Sequence, residues 1–198
     1  MAQPSQNEIK QELVDAIRML EHAEYIDHNG HCSVRRDANS FYINSGASMR
    51  ASLTVEDIVA VDLDGKPVDG GNVKPPLEFP IHAEVYRART KVNAVFHTHP
   101  QWSTYLTMTG HAQKVVYAQA SLLGDMPVMN SPMSVNTREM GEKMIAIMGL
   151  QHHNRLLGFA VDLAAPDRRR GHPFPGHRRR SCTARAGIDR EGRHGARF

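Results

Sequence analysis

The sequence predicts an α/β domain, because segments with helical and with strand-like spacing of apolar residues alternate along most of the chain. A length of 198 residues is typical of one domain and is sufficient for a sizeable core. The first helix is predicted by a capping-box pattern at residues 5–8, followed by apolar residues on one helical face: Ile9, Leu13, Ile17 and Leu20.

Two strands and a helical turn are predicted next. Phe41-Tyr42-Ile43 is typical of a strand, and so is the alternating segment 59–63, which closes on the turn Asp64-Gly65. Between these strands, Thr54 is placed to cap a short helical turn over residues 54–57.

A second helix is predicted from Pro80 onward, since proline suits the first turn of a helix. Three apolar residues at helical spacing form its buried stripe: Ile81, Val85 and Ala88. His82 and Tyr86 make an i, i+4 pair on an adjoining face. Glu78 comes just before this helix, where the helix dipole favours a carboxylate.

Three further elements are predicted in the second half of the chain. Trp102 and Leu106 indicate a helix, and residues 115–117 indicate a short strand. A last helix carries an apolar stripe that we interpret as core rather than as metal ligands: Met140, Met144, Ile147 and Met148.

The pattern His97-Thr98-His99 follows an apolar run at residues 92–96 that predicts a buried strand. Because side chains two residues apart on an extended segment face the same way, the two imidazoles should converge. Such a pair is typical of a half-site for zinc, manganese or iron. Two histidines at a solvent-exposed strand end that bind nothing would have the same pattern, but Glu78, just before the preceding helix, favours a metal site.

These blocks resemble the class II aldolase/adducin family in order and spacing. The resemblance is carried by Glu78, His82, Tyr86 and residues 87–89, 92–95 and 97–100. It extends more weakly from the first helix to about Gly149, and it includes residues 30–35, 43–46 and 53–59.

The resemblance implies a three-layer α/β/α fold with a central, largely antiparallel sheet, assembled as a homotetramer with sites at subunit borders. It also implies that His97, His99 and Glu78 hold a divalent metal, Zn²⁺ or Mn²⁺. Glu78 would serve as the acid/base, and His82 is the other candidate for proton transfer. The family's third histidine lies farther along the chain, where the candidates are His152, His153 and His172.

The loops that bind phosphate in sugar-phosphate members of the family are altered here. Those loops typically read Gly-Asn, Ser-Gly or Thr-Gly, and Ser-Ser, whereas this chain has Gly30-His31, Ser45-Gly46 and Pro76-Leu77. Proline has no amide hydrogen and leucine no hydroxyl, so the third loop lacks donors for a phosphate. Arg50 is either a fork for a substrate carboxylate or an ordinary solvated arginine.

The altered loops argue against a phosphorylated substrate. They resemble the branch of the family that decarboxylates hydroxylated aromatic or heteroaromatic acids, and this resemblance implies a metal-dependent decarboxylase of such a (di)carboxylic acid. The expected substrate contacts are Gly30, His31, Ser45, Gly46 and Arg50. A sugar-phosphate aldolase or epimerase is the alternative within the family, and a catalytically silent scaffold like the adducin head domains is the alternative outside enzymes.

Charge divides the chain into two parts, residues 1–150 and 151–198. Residues 151–198 contain 11 Arg, no Lys and 4 acidic residues, whereas residues 1–150 contain 13 basic and 17 acidic residues. We expect the first part to be the class II aldolase-like domain, incomplete at its C-terminal end, and the second to be a poorly ordered tail. An Arg-rich arm can bind nucleic acid, but this composition is also what a shifted reading frame of GC-rich DNA produces, and we expect no nucleic-acid partner.

The sequence has neither a membrane-length apolar run nor the pattern of a signal peptide, so we expect a cytoplasmic protein. Cys32 and Cys182 do not make a disulfide framework. We expect Cys32 to be a small buried or site-adjacent thiol.

The lack of apolar periodicity after about Gly149 predicts that trypsin removes the Arg-rich tail while the preceding domain resists cleavage. Mass spectrometry of the limit digest measures this. Slow amide hydrogen exchange throughout residues 151–198 would contradict the prediction.

Overall fold

The computed structural model describes residues 4–111, 114, 116, 118, 127–131 and 133–149, together with the backbone of residues 160–161. The chain divides into two units, residues 1–165 and 166–198, and all the described residues belong to the first. The predicted strand at 115–117 and the tail lie outside the described residues, except for Val116 and the backbone at 160–161.

Four helices and six strands are described, with two short 3₁₀ turns at Arg50–Ser52 and Val55–Asp57. The helices are α1 (Gln6–His22), α2 (Phe79–Ala88), α3 (Gln101–Met108) and α4 (Arg138–Met148). The strands are β1 (His31–Arg35), β2 (Ser40–Asn44), β3 (Ile58–Asp62), β4 (Ala94–His97), β5 (Val128–Met129) and β6 (Ala160–Val161).

The central sheet has the strand order β3-β2-β1-β4, and every pairing in it is antiparallel. Strands β5 and β6 form a separate parallel pair. The register of the β1–β4 pair sets His31 opposite His97 and Ser33 opposite Val95. Two histidines far apart in the sequence are thereby brought side by side.

Helices cover both faces of the sheet, as the predicted three-layer architecture requires. Alternate residues of β2 point to opposite layers, since side chains alternate along a strand. Tyr42 packs with Leu13 and Ile17 of α1 on one face. Phe41 and Ile43 pack with α2 on the other face.

The N-terminus of α1 carries the predicted capping box. Ser5 Oγ accepts a hydrogen bond from the Glu8 amide, and the Glu8 carboxylate accepts one from the Ser5 amide. Thr54 likewise begins the second 3₁₀ turn, where its amide and hydroxyl both donate to the Asp57 carboxylate. These local signals were sufficient to place both helical starts.

Helix α2 lies between the sheet and α4, so its burial is not confined to one stripe. Ala83 and Tyr86 face the sheet, while Ile81 and Val85 pack with Met144 and Met148 of α4. The interpretation of those two methionines as core is confirmed.

Two residues of the predicted helical stripes are exposed, so the predictions were wrong there. Ala88 is exposed in the last turn of α2, after burial has ended at Tyr86. Ile147 of α4 is also exposed, because α4 meets α2 along the narrower face that contains Met144 and Met148.

The prediction of a buried strand at residues 92–96 was also wrong. Among the described strands, β4 is at the edge of the central sheet and pairs with β1 alone. Val92 and Val95 are partly buried against the core, whereas Phe96 is 51% exposed. An edge strand buries only part of its apolar sequence.

None of the helices in the described part of the chain has the length and apolar character needed to span a bilayer.

Leu13 and Met19 of α1 provide a matched test of this packing. Leu13 is 1% exposed and Met19 is 66% exposed. We expect Leu13→Ala to lower the free energy of unfolding by about 2–5 kcal/mol, and Met19→Ala to change it by less than about 0.5 kcal/mol. Urea denaturation measures both values, and equal effects would contradict the core assignment.

Candidate metal centre

The centre is built where β1 and β4 pair at the edge of the sheet. His31 and His97 occupy opposite positions of the two strands. Their rings stack with centroids 4.6 Å apart. Cys32, the next residue of β1, is opposite Phe96 and points into the core with α1, where burial raises the pKa of its thiol to about 12. Cys32 is thus the buried thiol expected from the sequence, not a nucleophile.

Glu78 brings a carboxylate to these rings from the start of α2. It is the N-cap residue of this helix, followed closely by Pro80, but its side chain makes no capping hydrogen bond. Instead, Glu78 Oε2 lies 3.5 Å from His97 Nε2 and 3.7 Å from His31 Nε2. The Ser134 hydroxyl donates to the other carboxylate oxygen, Glu78 Oε1, over 2.5 Å.

His99 lies beside His97 but outside the set of His31, Glu78 and His97, whose donor atoms all lie within 4.8 Å of one another. Its Nε2 lies 2.9 Å from His97 Nε2, so the two rings of the His-Thr-His pattern do converge. His99 Nδ1 lies 3.2 Å from Asp27 Oδ1, and the His99 amide donates to the Tyr25 carbonyl. The loop after α1 therefore holds His99 by both backbone and side chain.

The pKa values of His97 and Glu78 favour the binding of a cation. Burial lowers the pKa of His97 to about 3, and the neighbouring His31 and His99 lower it as well. Partial burial raises the pKa of Glu78, but interactions with His31 and Ser134 outweigh it and bring the pKa to about 2. Neutral imidazoles beside an ionised carboxylate are the protonation states that bind a metal.

These residues fit a divalent metal on two grounds. Donor atoms of His31, Glu78 and His97 all lie within 4.8 Å of one another. His31 Nε2 is also buried without a hydrogen-bond partner among the described residues, which is costly unless a ligand supplies one. Imidazole and carboxylate together are a donor set that zinc and manganese accept.

His82 lies behind this centre rather than in it. It is 0% exposed, with Nε2 2.6 Å from His31 Nδ1 and Nδ1 2.6 Å from Ser33 Oγ. The sequence suggested that His82 transfers a proton to substrate, but the structure separates its ring from the cavity by His31.

A cavity of about 500 Å³ opens in front of the centre. Its wall includes Glu78, His97 and His99 together with Gly46, Pro76 and Leu77. Gly46 abuts the altered loop, since a Cβ there would lie 3.1 Å from Pro76 Cα. A side chain at position 46 would push the two loops apart.

Arg50 also lines the cavity, but it is 4% exposed and is not a solvated arginine. Its Nε donates to the Gly30 carbonyl over 2.6 Å, and its Nη1 donates to the carbonyls of Ser45 and Ser48. Gly30 and Ser45, both predicted as substrate contacts, are buried residues that hold Arg50 in place. His31, predicted as a third contact, belongs instead to the cluster with Glu78 and His97.

Three polar residues of the site were missed by sequence reasoning: Asp27, Ser33 and Ser134. Each contacts a histidine or Glu78 from a distant part of the chain. No local pattern marks such partners. The candidates for the family's third histidine, at positions 152, 153 and 172, lie outside the described residues.

Comparison with known proteins identifies the family. Residues 11–158 match the model of the Class II Aldolase and Adducin N-terminal domain. The chain belongs to this family. A solved aldolase II superfamily protein from Pseudomonas syringae is 26% identical, with a TM-score of 0.61 over 75% of this chain and 62% of that one.

Relatives with different named activities match this chain almost equally well. It is 30% identical to an L-fuculose phosphate aldolase of Methanococcus maripaludis, over 57% of this chain and 61% of that protein. It is 29% identical to a 3,4-dihydroxyphthalate decarboxylase of Arthrobacter keyseri, over 76% of this chain and 66% of that protein. The chain therefore spans less than two thirds of the length of either relative.

The convergent histidines predict that the purified protein binds one Zn²⁺ or Mn²⁺ and that the double variant His97→Ala/His99→Ala loses it. Metal analysis after dialysis and isothermal titration measure the loss. His22→Ala, an exposed change in α1, is the control and should retain the metal. Stoichiometric metal in the double variant would contradict the assignment.

Proposed function

We propose that this protein is a divalent-metal-dependent carbon–carbon lyase that decarboxylates a hydroxylated aromatic or heteroaromatic carboxylic acid. The observation that carries the proposal is the cavity wall beside Glu78. Pro76 and Leu77 form this wall. Neither side chain donates a hydrogen bond, and Pro76 has no amide hydrogen, so the wall suits an apolar ring better than a phosphate.

His97, His99 and Glu78 are the proposed metal-holding residues, with Zn²⁺ or Mn²⁺ as the ion. A divalent cation held by these residues would supply a Lewis acid for the oxygens of the substrate and for the negative charge left when carbon dioxide departs. Ser134 and Asp27 keep the Glu78 carboxylate and the His99 ring in orientation. Outer contacts of this kind support metal affinity in other proteins.

Glu78 is the proposed acid/base. Because its pKa is held at about 2, it is a carboxylate at neutral pH, and it would accept the proton of a substrate hydroxyl that a bound metal has made more acidic. It then returns that proton to the ring carbon from which carbon dioxide has left, and water protonates the phenolate. His82 has no exposed surface, so we assign it a supporting role behind His31.

Arg50 is the proposed partner of a substrate carboxylate. Its guanidinium is fixed by three carbonyls and lines the cavity. A fixed guanidinium loses little conformational entropy when it binds an anion. A second carboxylate on the substrate, as in a dicarboxylic acid, would reach this charge.

A sugar-phosphate aldolase is the second candidate function. It is favoured by the retained Ser45-Gly46 loop and by the similarity to the Methanococcus relative. The same metal-holding residues and Glu78 would serve that reaction. A silent adducin-like scaffold remains the third candidate and requires that the centre binds no metal.

We also propose the division of the chain into a domain of residues 1–150 and an Arg-rich tail of residues 151–198, in a cytoplasmic homotetramer. Trp102 and Tyr105 support an assembled state, since they are 75% and 57% exposed on α3 beside the cavity. Large exposed aromatic side chains are typical of surfaces that bind another protein.

The decisive assay compares two substrate classes with added Mn²⁺ or Zn²⁺. We expect carbon dioxide release from hydroxylated aromatic dicarboxylates and no cleavage of fuculose or ribulose phosphates. Glu78→Gln retains the shape but cannot carry the proton, so turnover should fall roughly 10²–10⁴-fold. Glu139→Gln, on the exposed face of α4, is the control and should retain activity.

Rapid cleavage of a ketose phosphate without decarboxylation of any aromatic acid would overturn the substrate assignment and leave the lyase assignment standing. Neither activity, together with no bound metal, would favour the scaffold.

A further inference from the structure

We infer that His31 supplies a third imidazole to the metal centre, oriented by a buried hydrogen-bonded line through His82, Ser33 and Tyr86. The inference rests on the proposed metal-dependent function. It makes a residue of β1 the third histidine ligand, whereas the family resemblance places the third histidine farther along the chain.

The first support is the position of the His31 ring. Its Nε2 lies 3.7 Å from Glu78 Oε2, close to the 3.5 Å that separates His97 Nε2 from the same oxygen. Ligands about 2.1 Å from a tetrahedral metal lie roughly 3.4 Å from one another. Two of the three distances among these donor atoms are therefore close to the spacing of ligands around one ion, and the third is no more than 4.8 Å.

The second support is the unpartnered nitrogen. His31 is 1% exposed, and its Nε2 has no hydrogen-bond partner among the described residues, although its Nδ1 has one. A buried polar atom without a partner is rare because its desolvation is not compensated. Ligation through Nε2 removes this cost.

The third support is the line of polar groups behind the ring. His31 Nδ1 lies 2.6 Å from His82 Nε2, His82 Nδ1 lies 2.6 Å from Ser33 Oγ, and Ser33 Oγ lies 2.7 Å from the Tyr86 hydroxyl. All four residues are buried. The Arg35 guanidinium lies 4.5 Å from the centre of the Tyr86 ring and covers the far end of the line.

This line can fix the tautomer of His31. His82 is 0% exposed, and each of its two ring nitrogens has one partner, His31 Nδ1 at Nε2 and Ser33 Oγ at Nδ1. A neutral His82 that donates from Nδ1 to Ser33 must accept at Nε2. His31 then donates from Nδ1, and its Nε2 presents a lone pair to the metal, as metal-bound histidines generally do.

If the hydrogen bonds of this line run in the opposite direction, His31 has a different role. If Ser33 donates to His82, the proton of His31 lies on Nε2, and His31 can only donate to Glu78. His31 would then orient the carboxylate without touching the metal. The two roles predict different numbers of imidazole ligands.

Cobalt substitution of the full chain distinguishes them. We expect His31→Asn to weaken Co²⁺ binding by roughly 100-fold or more and to change the visible absorption of the bound ion, as His97→Asn should do. Asparagine is chosen because the family resemblance gives it as the usual residue at this loop position. His22→Asn is the control and should change neither quantity.

Proton NMR of the unaltered cobalt protein provides the second measurement and needs no variant. Each histidine ligand contributes one strongly shifted ring N–H signal. We expect at least three, including one that persists in D₂O because the His31 N–H is buried against His82.

Unchanged cobalt affinity and absorption in His31→Asn, with both altered in His97→Asn, would overturn the inference and leave the proposed function intact. The absence of any shifted ring signal that persists in D₂O would do the same. An unaltered protein that binds neither Co²⁺ nor Zn²⁺ would instead overturn the proposed function itself.

Discussion

The antiparallel pairing of β1 with β4 is the interaction on which the rest of the site depends. Its register alone places His31 against His97. A slip of one residue would turn one of these side chains to the opposite face of the sheet, because strand side chains alternate. Arg35, at the end of β1, helps to fix this register by donating to the carbonyls of Val92, Tyr86 and Arg89.

Helix α2 converts this strand pair into a chemical centre. Its first residues bring Glu78 to the imidazoles, and its buried face holds His82 and Tyr86 behind them. The same helix packs between the sheet and α4, so a substitution at most of its positions would disturb buried contacts. The same helix therefore contributes to the core, carries the proposed ligand Glu78 at its start, and holds the side chains that lie behind the ligands.

Local features of the site were predictable from the sequence, and long-range features were not. The convergence of His97 and His99 follows from strand geometry over three residues, and the position of Glu78 follows from the start of a helix. His31 reaches the centre only through strand pairing, and Ser134 reaches Glu78 across 56 residues of sequence. Burial was misjudged at Ala88, Ile147 and Phe96 because it depends on neighbours that periodicity does not reveal.

Anomalous X-ray diffraction at the zinc absorption edge tests the central claim most directly. Crystals of the zinc-loaded protein should give one strong peak among the Nε2 atoms of His31, His97 and His99 and the Glu78 carboxylate. A zinc peak elsewhere in the protein, with none among these four residues, would contradict the account.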